Sequence, residues 1–170
     1  MADETQRWYY NQIKNNNSIE NAVDNFWLNL LPDYFKKSLK FGIEHESRPF
    51  PEATKQRADW TIRYIKNGDP KVILMEDKRR GKEFSTAEWR SGLEQLTDYM
   101  TLARAETQQD TQRTLYGAVN IGTYTRFYQL DMYEKTCINY PGTPDQALEL
   151  QADEERIHNI LQELVQKTMH

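Results

Sequence analysis

Residues 71–82 read KVILMEDKRRGK: an apolar run that ends in a cluster of charge. Val72, Ile73, Leu74 and Met75 in succession suit a strand covered on both faces, near the middle of a sheet. Glu76, Asp77, Lys78, Arg79 and Arg80 at its end then need a reason to be there. Upstream, ADWTIRYI (58–65) alternates as a half-covered strand does, and KNGDP (66–70) supplies turn residues between the two. Together they predict an antiparallel hairpin over residues 59–78. Side chains alternate along a strand, so Glu76 and Lys78 share a face with Val72 and Leu74, while Asp77 and Arg79 take the other. Pairing through the turn brings Asp59 opposite Glu76.

The neighbouring segments extend this sheet. NNNSIENAVDNFWLNLLPDYF (15–35) repeats Ile19, Val23, Phe26 and Leu30 at helical spacing, with Asn17 or Ser18 as its cap and Pro32 marking its end or a kink. SLKFGIEHES (38–47) reads as a strand and RPFPEATKQR (48–57) as an irregular connection. STAEWRSGLEQLTDYMTLARA (85–105) is a helix capped by Ser85 or Thr86, with Trp89, Leu93, Leu96, Met100 and Ala103 on its buried stripe. TLYGAVNIG and YTRFYQLD are two strands around Gly122, YPGTP is a connection, and Ile157, Ile160, Leu161 and Leu164 mark a last amphipathic helix. Helix, three strands, helix, two strands, helix describes an α/β (α+β) chain with a mixed central sheet flanked by helices. At 170 residues a single domain is expected, with a core at about 18–131 and a C-terminal helical extension at 144–168.

Composition limits the function classes. A 38% hydrophobic and 28% charged content is that of an ordinary folded protein. No apolar run approaches a membrane span, and MADETQRWYY lacks the pattern of a signal peptide. Cys137 stands alone, which fits a reducing, intracellular compartment, cytoplasmic or nuclear. One Cys and three dispersed histidines supply no zinc set. The net charge of −4 argues against a sequence-independent nucleic-acid coat. Residues 71–90 nevertheless carry six basic and four acidic side chains, a local rim suited to brief phosphate contact.

The hairpin places two carboxylates and an ammonium side by side. Two acids that close repel unless a divalent cation lies between them, and an oxygen-only set suits Mg²⁺ or Mn²⁺. Lys78 would then orient a water or neutralise charge on a phosphate. A Glu-x-Lys pair on a strand is by itself an ordinary surface ion pair. The following helix adds Gln95 and Tyr99, four apart on one face beside the buried stripe, where a helix crossing the sheet hangs them over the strand ends. Taken singly, that pair is a polar helix edge.

In combination, SIENAV, RADWTIRY, VILMEDK and LEQLTDY resemble the PD-(D/E)xK, or restriction-endonuclease-like, nuclease superfamily. The Gln-x-x-x-Tyr helix is similar to the subgroup of RecB-type nucleases and type I restriction motor-subunit nuclease domains, as is the strand running into Gly122 before an aromatic strand. The likeness covers residues 18–130. It implies metal binding by Asp59 and Glu76 with support from Glu20, action of Lys78 on the attacking water, and positioning of the scissile strand or of Lys78 by Gln95 and Tyr99. It implies Mg²⁺ or Mn²⁺ as cofactor and nucleic acid as partner, DNA ahead of RNA. Ala58 stands where the motif has Pro, and Glu44 and Glu46 are rival acids to Glu20. No DNA-reading module is attached, so a protein partner would supply specificity. A catalytically silent module on the same fold, binding nucleic acid or a protein, is the competing expectation.

Overall fold

The computed structural model describes residues 3–15, 20–47, 58–66, 69–106, 114–143 and 146–169. The chain runs α1 (Glu4–Lys14), α2 (Glu20–Tyr34), a 3₁₀ turn (Lys37–Leu39), β1 (Phe41–Ser47), β2 (Ala58–Lys66), β3 (Asp69–Lys78), α3 (Thr86–Glu106), β4 (Leu115–Ile121), β5 (Tyr124–Leu130), β6 (Ile138–Asn139), β7 (Leu148–Glu149) and α4 (Glu154–Met169). Among the described residues seven strands form one sheet, in the order β1-β2-β3-β4-β5-β6 with β7 also against β5. Every pairing is antiparallel except β3 with β4, which α3 connects as a parallel crossover.

The expected mixed α/β architecture is therefore present, with β3 in the interior of the sheet. Its apolar run is covered on both sides. Ile73 and Met75, with Trp60 and Ile62 of β2, pack among Val23, Phe26 and Trp27 of α2 and Leu161 and Leu164 of α4. Leu74 faces the other way, against Leu96, Tyr99 and Met100 of α3. Helices α1, α2 and α4 thus cover one face and α3 the other. The last helix contributes Ile157, Ile160, Leu161, Leu164 and Val165 to the larger of the two cores.

Local chemistry sets the boundaries. The Ser85 hydroxyl accepts the Glu88 N–H at 3.3 Å and opens α3. Helix α2 continues two residues beyond Pro32, close enough to its end that the missing donor disturbs only the last turn. The caps expected at Asn17 or Ser18, the connection at 48–57, and the centre of the turn at Asn67 and Gly68 lie outside the described residues. Gly122, at φ 57°, turns β4 into β5, and its N–H donates to the Lys78 carbonyl at 3.0 Å. That bond ties the β4–β5 turn to the charged end of β3. Among the described residues, no helix is long and apolar enough to cross a membrane.

Candidate active site

Strands β2 and β3 pair Trp60 with Met75 and Thr61 with Leu74, and one further step in that register sets Asp59 opposite Glu76. Directly opposed residues share a face, so both carboxylates lie on the α3 side with Leu74. At this end of the ladder the Asp59 side chain takes a backbone donor: the Asp77 N–H donates to Asp59 Oδ2 at 2.6 Å. On the same face the Lys78 ammonium donates to Glu76 Oε1 at 2.5 Å, and Glu76 itself is buried. Burial pushes the Asp59 carboxyl up to about 7, and the Glu76 charge pushes the same way; the Asp77 N–H and Lys78 oppose them. Hence two acids, the carboxyl of one of them raised, and one ammonium meet where a central strand ends.

Helix α3 brings the next residues. Tyr99 is buried, and its phenol is pushed above the usual range by burial and then by the charges of Glu76, Asp59 and Asp98. It therefore remains a hydrogen-bond donor across the physiological range. Gln95 lies one turn earlier on that flank, its Oε1 buried without a hydrogen-bond partner. The Glu20 side chain lies outside the described residues. Of its rivals, Glu44 is bound to Arg63 Nε at 2.7 Å. Glu46 has a left-handed φ of 46° and is exposed; the β1–β2 register runs from His45–Trp60 to Ser47–Ala58 around it. The structure thus brings Asp59, Glu76, Lys78 and Tyr99 together.

A second group of polar side chains lies behind the strand, centred on Asp77. Asp77 turns to the α2 face as alternation requires, but there it is fully buried. Trp60 Nε1 donates to one carboxyl oxygen at 2.7 Å and Asn120 Nδ2 to the other at 2.6 Å. Asp24 of α2 hydrogen-bonds to it as well, and His45 Nε2 stands 3.7 Å from Asp24. Burial, followed by the Asp59 charge, pushes the Asp77 carboxyl well up. A proton on Asp77 is what lets two carboxyl groups bond rather than repel. Asp77 therefore ties β2, β4 and α2 to β3 while its own N–H fixes Asp59. Asn120 is the signal that marks the group: it is the one amide in the largely apolar strand LYGAVNI.

For a metal, the described residues offer Asp59 and Glu76, and among them no group of three or more His, Cys, Asp and Glu is placed to hold an ion. Two hard carboxylates with the remaining positions taken by water match Mg²⁺, which sheds its waters reluctantly. The raised Asp59 carboxyl fits too, because a cation beside it offsets the charge that burial and Glu76 penalise. No protein-family model, curated protein or solved structure matches the chain.

Proposed function

We propose that the chain is a metal-dependent nuclease of the PD-(D/E)xK kind that hydrolyses phosphodiester bonds, with DNA as the substrate. The observation that carries this reading is the convergence of Asp59 and Glu76 from neighbouring strands, with Lys78 on Glu76 and Asp59 raised by its neighbours. A scaffold has no physical reason to hold two acids in that relation. Asp59 and Glu76 would hold Mg²⁺ or Mn²⁺, joined by Glu20. The ion, when bound, supplies positive charge to the phosphate and makes water a better acid. Lys78 presents an ammonium at the same edge, able to hold the attacking water or a phosphate oxygen as negative charge grows. The Gln95 carbonyl accepts, so it can hold the Lys78 ammonium, and the Tyr99 phenol donates, so it can hold a phosphate oxygen of the scissile strand. The lone Cys137 supports a reducing compartment inside the cell, and a protein partner would supply sequence choice.

The competing reading is a silent module that binds nucleic acid or protein. One observation favours it: Lys78 already neutralises Glu76. Incubation with end-labelled single- and double-stranded DNA and RNA, in Mg²⁺, Mn²⁺ or chelator, separates the two. Metal-dependent cutting of DNA is the expected result, and inertness with every substrate and both ions transfers the site to the silent module.

A further inference from the structure

The candidate site lies on one flank of α3. A cleft of about 580 Å³ lies on the other, between the first turns of α3 and strand β5. Its walls are aromatic: Phe84, Trp89, Tyr124 and Tyr128. Phe84 is 89% exposed, which is costly for so large an apolar ring, and it meets Tyr124 edge to face at 5.7 Å between centroids. Two cations share the cleft. Arg90 is exposed on α3, and the Arg126 guanidinium lies 4.5 Å over the Trp89 ring with its Nε–H buried and without an acceptor. Among the described residues the one lining acid, Glu83, is already engaged: it accepts the Gly81 N–H at 2.7 Å and stands 3.9 Å from Arg80. The described lining is thus aromatic with net positive charge, the composition that stacks bases and holds phosphates.

Sheet register connects the cleft to the site. Lys78 pairs with Ile121 and Ile121 with Tyr124; Glu76 pairs with Val119 and Val119 with Arg126. Partners in a row share a face, so Tyr124 and Arg126 stand level with Lys78 and Glu76, two strands away. Two strand spacings are about 10 Å. A stacked single strand covers that distance in about three nucleotides.

We propose that this cleft receives an unpaired base of a single-stranded nucleic acid, stacked on Phe84 and Tyr124, with Arg90 and Arg126 on its flanking phosphate. A paired base has both faces and its edge occupied, so the cleft selects single strands or unpaired ends over duplex. The inference rests on the nuclease reading for where the scissile phosphate lies, while base binding can be measured without cleavage.

The test is fluorescence anisotropy of the full chain in chelator at low salt, with a labelled oligothymidine, an abasic strand of equal length and a hairpin duplex. The single strand should bind more tightly than the duplex. Phe84→Ala should weaken it about tenfold, within the range known for loss of one stacked base, with the melting temperature unchanged because the ring is exposed. The abasic strand should bind wild type and Phe84→Ala alike, and Arg90→Ala should weaken every strand. Equal affinity of wild type and Phe84→Ala for oligothymidine, or preference for the duplex, overturns the proposal. A Phe84 effect in a chain that cuts nothing upholds the base cleft and removes the nuclease reading; cutting without a Phe84 effect does the reverse.

Discussion

Asp77 and Glu76 are neighbours in sequence with opposite fates, and the alternation of a strand accounts for both. Glu76 turns toward α3 and meets Asp59, Lys78 and the charge-sensitive Tyr99. Asp77 turns toward α2 and is consumed by Trp60, Asn120 and Asp24. Alternation made the faces legible from the sequence, because it depends only on the backbone. What waited on each face was not legible, since Asp24 and Asn120 come from elements whose placement only the folded sheet determines. On α3, Gln95 and Leu96 are adjacent with different surroundings. Leu96→Ala removes a fully buried side chain and should cost about 2–5 kcal/mol in denaturant melts. Gln95→Ala should leave the melt nearly unchanged and lower turnover. The opposite pattern would return Gln95 to an ordinary helix edge.

Helix α3 holds both flanks in place because it lies unusually close to β4. A Cβ added at Gly92 would stand 2.6 Å from Val119 Cγ1, and Val119 is fully buried with nowhere to move. Gly92→Ala should therefore lower stability by about 1–2 kcal/mol, since overpacking exceeds the helix-propensity gain of about 1 kcal/mol. In a Val119→Ala background the same change should stabilise, and paired melts would read the reversal. The strong periods and long runs, in α2, β2, β3, α3, β4, β5 and α4, could be read directly from sequence. Helix α1 could not, because only Tyr10 and Ile13 of ETQRWYYNQIK are buried, too few for a stripe. Its cap was present all the same: Asp3 accepts the Gln6 N–H at 2.8 Å. Strands β6 and β7 have two residues each, too short to show any period, and form only because β5 offers an edge.

For the whole protein, two acids collected at one sheet edge make folding sensitive to pH and to divalent ions. Asp59 ordinarily titrates at 3.8 and is raised to about 7 in the folded chain. From about pH 4 to 7 the metal-free folded state keeps a proton that the unfolded chain releases. Its contribution to stability is complete below that window and is lost as pH rises through it. The melting-temperature difference between wild type and Asp59→Asn in chelator should accordingly shift against wild type across that interval. Added Mg²⁺ should raise the wild-type melt more at about pH 8 than at about pH 5, because an ionised Asp59 binds the cation that a protonated one does not. The most direct test of the central claim is cleavage of labelled DNA in Mg²⁺ by wild type, Glu76→Gln and Lys78→Ala, each first shown to melt as a folded protein. Cutting by wild type that stops in chelator and in both variants is the predicted result; cutting that persists undiminished in both variants would contradict it.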